Sequence, residues 1–295
     1  MFISISELRQ MSKEKRYEDI KNLFLTPNTK ITLPNDSYIQ FYNLIHDKTP
    51  LNRYVCFSVF ENLASRETPS NEPEYVFNII IKKSDVTYDM IANIIKNSIE
   101  CGMKCYISTA SLRNTTGRKG ANAYASSVIV IDLDVYNSPT FAWLDKKNTE
   151  LKLLQLGAPI PTYLYYTGRG YNAVYKLDKS MNLSLQEVVE RRKAIITALI
   201  SAWSDACADS HCTDVTRLTR MQSSINPKTG NAADIVRFDK EGKVYTLEEL
   251  ENLLGLDKQA TIMDIEKTEK VKREKTEVKK EQAIQYANPF GFGKI

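Results

Sequence analysis

Three short segments carry the side chains best suited to chemistry. The first is Ile131-Asp132-Leu133-Asp134, at the end of a Val/Ile-rich run. On a strand, residues two apart point to the same side, so Asp132 and Asp134 project together. Two carboxylates that close are costly unless something neutralises them, and a divalent cation that takes carboxylate oxygens does so. The plainer reading is two aspartates that end a strand before Asn137-Ser138-Pro139. The second segment is Tyr166-Thr167-Gly168-Arg169-Gly170-Tyr171-Asn172. Its glycines let backbone N–H groups come close to phosphate oxygens, and Arg169 can clamp a phosphate bidentately. It also reads as a tight turn with a solvent-facing arginine. The third is Thr213-Asp214-Val215-Thr216-Arg217-Leu218-Thr219-Arg220, followed by Ser224-Ile225-Asn226-Pro227-Lys228. It holds an acid, two arginines three residues apart and a lysine on a loop. This suits phosphate and sugar contacts, or a solvated charged loop.

Elements of both kinds must position these segments. Residues 127–133 are nearly all Val, Ile and Leu around Asp132, which predicts a strand buried on both faces. Residues 54–60, 75–81 and 104–108 read as further strands, and 162–166 with 172–177 as a hairpin around the Gly-Arg-Gly turn. Helical spacing runs through 90–99, with Cys101-Gly102 as its stop, through 185–203 and through 247–254. Residues 113–122 form a loop with Arg113, Arg118 and Lys119, and 235–238 with 243–245 are expected to form a closing hairpin. Residues 1–50 read as an N-terminal helical extension, 51–257 as the main domain and 258–295 as a charged flexible tail ending in Phe290-Gly291-Phe292-Gly293.

Composition bounds the rest. The 295 residues are 42% apolar and 26% charged with a net charge of +4, which excludes a wholly disordered, collagen-like or coiled-coil chain. Net charge permits a nucleic-acid partner without requiring one. No apolar run is long enough to span a bilayer and no signal-peptide pattern opens the chain, so a cytoplasmic protein with no membrane partner is expected. Five cysteines without regular spacing suit a reducing compartment. Cys207, His211 and Cys212 lie close in sequence, with Cys101 and Cys105 elsewhere, but no pair has Cys-x-x-Cys spacing and structural zinc is not expected.

In order and spacing, the three segments together resemble the archaeo-eukaryotic primase superfamily, and most of all the primase-polymerase domains of plasmid and mobile-element replication proteins. The resemblance covers residues 54–254. It implies an α/β (α+β) fold of two α/β modules, one with an RRM-like sheet, with the acids in the cleft between them. It implies that Asp132, Asp134 and Asp214 are catalytic and hold Mg²⁺ or Mn²⁺. It implies that Thr167, Gly168, Arg169, Gly170 and Asn172, with Arg217 and Arg220, bind the incoming nucleotide. Asn172 stands where the family usually has a histidine, and Met221-Gln222 where it often has Pro-Gly. Arg113, Arg118, Lys119 and Lys228 are candidates for DNA-backbone contacts, and Tyr106, Tyr124 and Tyr171 for base stacking.

The activity implied is primer synthesis on single-stranded DNA from NTPs or dNTPs, for replication of a plasmid, phage or integrated element. No Gly-Lys-Ser/Thr phosphate loop is present, so a helicase would be a separate chain. The main alternative is a non-catalytic replication initiator that binds origin DNA through the same fold. A metal-dependent nuclease and a single-strand or RNA binding module without chemistry are further alternatives.

Overall fold

The computed structural model describes residues 4–61, 74–156, 159–236 and 242–256. The expected charged tail and residues 237–241 lie outside them. Among the described residues, ten strands form one sheet: β1 (Tyr54–Phe60), β2 (Val76–Lys82), β3 (Lys104–Ser108), β4 (Ser111–Leu112), β5 (Ala123–Leu133), β6 (Tyr163–Tyr166), β7 (Tyr171–Asn182), β8 (Leu218–Arg220), β9 (Asp234–Val236) and β10 (Val244–Tyr245). The path runs β8-β3-β1-β4-β5-β7-β6-β9, with β2 on β1 and β10 on β7. Every pairing is antiparallel except β10 on β7. The expected closing hairpin is therefore corrected: β9 pairs with β6, and β10 lies parallel to β7.

The sheet forks beside the first segment. β3 and β4 run as one bent strand. Its outer edge carries β8 at Tyr106–Ser108 and β5 at Ser111–Leu112. β5 thus parts from β3, and β8 occupies the place it leaves.

Helices cover both faces. α1 (Ile5–Lys13), α2 (Tyr17–Leu25), α3 (Ser37–His46) and α4 (Tyr88–Glu100) share one core with β1, β2 and β3. α5 (Lys146–Leu156), α6 (Gln186–Ala202) and α7 (Leu247–Leu253) build the other. β5 serves both: Val128 and Val130 face the first core, and Ile129, Ile131 and Leu133 the second. Each such buried side chain stabilises by about 1.5–3 kcal/mol. The strand therefore has no free face until Asp132, which continues the row of Val128 and Val130. α4 starts on a Thr87 cap that accepts from the Met90 N–H and ends at Cys101, with Gly102 in the left-handed region at φ +63°.

α3 is tied to the sheet by polar groups. Lys176 of β7 donates to the Leu44 carbonyl at 2.6 Å and to Ser127 at 3.0 Å, and pairs with Asp47. His46 is fully buried, with Nε2 3.0 Å from the Ser108 carbonyl and Nδ1 3.0 Å from the Thr49 hydroxyl. Burial, aided by Lys83, pushes its imidazole down to about 3. The unfolded chain therefore takes up a proton near pH 6.5 that the folded chain refuses. Stability is full above that pH and falls as pH drops from about 6.5 toward 3, by at most about 1.4 kcal/mol per unit. Denaturant titrations at pH 7 and pH 5 are expected to show a smaller loss for His46→Asn than for wild type. Equal losses would remove His46 from the acid response.

Candidate active site

Asp132 is the penultimate residue of β5 and pairs with Asn172 of β7. The segment after α6 knits onto this strand end. The Asp132 N–H donates to Cys212 Sγ at 3.3 Å, the Asp209 N–H to the Asp132 carbonyl at 2.8 Å, and the Asp134 N–H to the Cys207 carbonyl at 3.1 Å. Asp134 opens a short 3₁₀ turn over Val135–Asn137. Tyr136 on that turn donates its hydroxyl to Asp134 Oδ1 at 2.8 Å, and the Arg169 guanidinium lies 3.7 Å from the centre of the Tyr136 ring. The first two segments thus meet through one tyrosine.

The Gly-Arg-Gly turn joins β6 to β7, as expected. The Thr167 N–H donates to the Gly170 carbonyl at 2.9 Å, and the Gly170 N–H to the Thr167 hydroxyl at 3.2 Å. Both glycines are required by close approach. A Cβ on Gly168, at φ +85°, would lie 2.6 Å from Asn226 Cβ and 2.8 Å from the Asn231 carbonyl oxygen. One on Gly170 would lie 2.6 Å from the Leu133 carbonyl oxygen. The loop of the third segment docks here, with Thr229 donating to the Gly168 carbonyl at 2.7 Å. Gly168→Ala is expected to cost roughly 2–4 kcal/mol, from a strained φ plus overpacking. Gly230→Ala, at φ +73° with open space around it, should cost only the backbone share. Equal costs in chemical denaturation would show that the turn and loop are not packed this way.

A cleft of about 180 Å³ opens where β5, β7 and β8 meet. Asp132, Asp134, Thr167, Arg169, Gly170, Asn172, Arg220, Asn226 and Lys228 line it, drawn from all three segments. Asn172 is buried, with its amide nitrogen 2.9 Å from Asp132 Oδ1 and its amide oxygen accepting from the Thr219 hydroxyl at 2.6 Å. Asn172 therefore holds a carboxylate of the first segment. Burial pushes the Asp132 carboxyl up to about 6. Arg217 opposes this, and Asp134 and Asp209 reinforce it by repulsion.

Other expected residues are placed elsewhere. Asp214 does not join the two acids. Its side chain is 52% exposed, accepts from the Thr216 N–H at 3.1 Å and lies 3.7 Å from Arg118. Arg217 lies behind the cleft floor, 3.3 Å from Asp132 and 2.8 Å from Asp209. Arg192, almost wholly buried on α6, donates to the carbonyls of Thr213 and Asp214 and holds this loop in place. Arg113 donates to Ser184 and the Ala123 carbonyl, and Arg118 to the Thr216 carbonyl. Neither these two nor Lys119 lines the cleft. Tyr124 lies outside it too, beneath Arg53 at 3.9 Å. Tyr171 is corrected as a stacking candidate, since it is 2% exposed and packed against Tyr166. Among the described residues, no three His, Cys, Asp or Glu side chains form a metal-binding group.

Sequence reasoning missed Lys104, Tyr136 and Thr219, which also line the cleft, and Asp209 behind it. A signal existed for two of them. Tyr136 continues the two-residue spacing of Asp132 and Asp134, and Lys104 stands two before Tyr106 on a strand.

No family model and no curated protein sequence matches the chain. Solved structures do. The archaeo-eukaryotic primase domain of the cyanophage S-2L primase-polymerase is 14% identical, with 74% of this chain and 97% of that one covered at a TM-score of 0.50. The catalytic domain of primase RepB′ in complex with initiator DNA is 14% identical, over 79% of this chain and 98% of that one, at a TM-score of 0.47. The polymerase domain of Mycobacterium tuberculosis ligase D in complex with DNA is 10% identical, over 82% and 89%, at 0.38. The first match, with the large antiparallel sheet and its flanking helices, gives the chain the archaeo-eukaryotic primase-polymerase fold.

Proposed function

We propose that this chain is a nucleotidyltransferase of the primase or primase-polymerase type, making primers on single-stranded DNA for a plasmid, phage or mobile element. One observation carries the reading. A single cleft places two carboxylates, Asp132 and Asp134, among the cationic groups Arg169, Arg220 and Lys228. Carboxylates bind a cation and cationic groups bind phosphates, and nucleotidyl transfer needs both together.

The donor set fits Mg²⁺ or Mn²⁺, which is held by one or two carboxylates completed by substrate phosphates. A carboxyl whose ionisation is opposed by burial and two neighbouring acids is one that a cation would relieve. When bound, the ion supplies charge neutralisation at the reacting phosphate and lowers the pKa of the attacking hydroxyl. The chain does the positioning. Tyr136 fixes Asp134, and Asn172 and Arg217 fix Asp132. Arg169, braced on the Tyr136 ring, and Lys228 hold the triphosphate. The Thr167–Gly170 turn sets the depth at which it sits. Lys119 serves the template backbone outside the cleft. A cytoplasmic setting and a separate helicase belong to the same proposal.

A specific observation favours the rival reading, a non-catalytic initiator. Asn172 cannot carry charge, and its amide is already engaged by Asp132 and Thr219. The test is to incubate the protein with single-stranded circular DNA, labelled NTPs or dNTPs and Mg²⁺ or Mn²⁺, beside the Asp132/Asp134 double variant. Short products from wild type alone support the enzyme. DNA binding without products under either metal supports the initiator.

A further inference from the structure

One long edge of the sheet is left open. β2 pairs with β1 alone, and no other strand of the described residues lies on its far side. β8 and β9 end the sheet elsewhere with three residues each, whereas β2 runs for seven. The register shows which backbone groups face out. The Glu61 N–H donates to the Tyr75 carbonyl at 2.9 Å and the Lys83 N–H to the Arg53 carbonyl at 2.7 Å, one at each end of the unbroken β1–β2 ladder. Every second residue bonds across an antiparallel pair, so the odd residues from 75 to 83 face β1. Glu74, Val76, Asn78, Ile80 and Lys82 therefore turn their N–H and C=O groups outward. Open edges are usually blunted by a proline, a bulge or an inward charge. β2 contains no proline, glycine or bulge. Val76 is exposed at its start, and exposed Tyr17 stacks over Phe77 beside it with ring centres 6.3 Å apart.

We infer that β2 pairs antiparallel with β2 of a second copy of this chain, about a two-fold axis at Asn78. In this register Glu74 stands opposite the second copy's Lys82, Val76 opposite its Ile80 and Asn78 opposite its Asn78. Each charge meets its opposite and each apolar residue an apolar one, which favours cross-strand pairing. Moving the axis to Phe77 sets Glu74 against Ile80, and moving it to Ile79 sets Lys82 against Val76. The side chains are ready for the pairing. Lys82 is exposed, with no ion-pair partner among the described residues. Glu74 accepts from Lys104 through Oε1 at 2.6 Å and has a second oxygen to offer. Asn78 accepts from Ser58 through Oδ1 at 2.6 Å, and its amide nitrogen can donate across the axis. Phe77, Ile79 and Ile81 stay under the chain's own helices, so the first core remains closed. Each outward pair exchanges two N–H···O bonds, and the ladder gives about ten, the number of an ordinary protein interface. A two-fold contact uses up both edges, so assembly stops at the dimer. The pairing holds whatever reaction the cleft carries out.

The test is assembly of the full chain in solution. An interface built on one strand lies at the small end of specific contacts, so sedimentation velocity from about 1 to 100 μM is expected to show monomer passing to dimer and nothing larger. Lys82→Glu sets two glutamates opposite each other at both symmetry-related positions, and Glu74→Lys sets two lysines there. Each variant alone is expected to stay monomeric. Mixed in equal amounts, they place every glutamate opposite a lysine again, and the dimer should return. A folding defect in either chain cannot produce that rescue. Val76→Pro removes one outward N–H and no bond to β1, and should also stay monomeric with the circular dichroism of wild type. Should a charge variant fail to fold, Val76→Pro decides, a monomer supporting the pairing and a dimer overturning it. Wild type that is monomeric at every concentration overturns the proposal. A dimer that all three variants keep does so too, because it lies on another surface. An equal mixture of folded charge variants that stays monomeric overturns the register, and growth past the dimer overturns the closed two-fold.

Discussion

With Asp132 and Asp134 both changed to Asn, primer synthesis is expected to fall by at least about 10³-fold, while binding of single-stranded DNA stays within about twofold of wild type. The size follows from the chemistry. A bound divalent ion supplies several kcal/mol of transition-state charge stabilisation, and about 4 kcal/mol corresponds to three orders of magnitude. Asparagine keeps the shape. Its amide oxygen at position 134 can still accept from Tyr136, which now donates to Asp134 at 2.8 Å. Only the charge that holds the cation goes. Stability runs the other way. A carboxyl held up at about 6 in the folded state binds its proton more tightly than the unfolded chain does. Its contribution is therefore favourable at low pH and is lost as pH rises from near 4 through 6. At pH 7.5 the double variant should melt at or above the wild-type temperature. A gel showing wild-type primer yields from the double variant would remove both acids from the chemistry, and a lower melting point would show that the two carboxylates support the fold.

How much of this was legible from the sequence depends on the range of the interactions. β5 was legible because both its neighbours are apolar cores, so nearly every residue from 128 to 133 is Val, Ile or Leu. The Gly-Arg-Gly turn was legible because a hairpin is local. The docking of residues 226–231 onto Gly168 was not, since it joins segments about sixty residues apart. The closing hairpin failed for the same reason. Local pattern favoured pairing 235–238 with 243–245, but the edges of β6 and β7 offered each strand a distant partner. Asp214, Arg217 and Arg220 sit at three-residue spacing, yet β8 begins only at Leu218. Arg220 and Thr219 are on the strand and reach the cleft, Arg217 turns behind the floor, and Asp214 remains on the loop held by Arg192. Where the chain enters a three-residue strand at a fork in the sheet is a tertiary decision, and nothing in the spacing records it. Tyr106 is a stacking candidate from the sequence alone, but Lys104 reads as an ordinary strand residue, and only β8 sets Arg220 against the pair.

Arg217 separates a reading from spacing and one from contact. A triphosphate ligand would be missed in KM, and a group that braces a carboxylate from behind would be missed in kcat. The contacts favour the second. One guanidinium nitrogen lies 3.3 Å from Asp132 and 2.8 Å from Asp209, and the other donates to the His211 carbonyl. Arg217→Met is therefore expected to lower kcat by about 10²-fold or more and to raise the Mg²⁺ concentration needed for half-maximal rate, with the nucleotide KM within about threefold of wild type. Arg169→Ala should do the reverse and raise nucleotide KM by about tenfold or more at a kcat closer to wild type. The sign for Asp132 follows as well. Arg217 draws its carboxyl down against burial and two like charges, so losing Arg217 moves the carboxyl further up and the acid limb of the rate profile toward higher pH. Breaking this charge pair also costs stability, but with the Asp132 side chain 39% exposed the cost stays below the ~3–5 kcal/mol of a fully buried pair. Arg217→Lys should recover part of the kcat, because one ammonium can still neutralise one of the two acids. A kcat near wild type with a steeply raised nucleotide KM in Arg217→Met would return Arg217 to the phosphate-binding set and leave Asp132 braced by Asn172 alone.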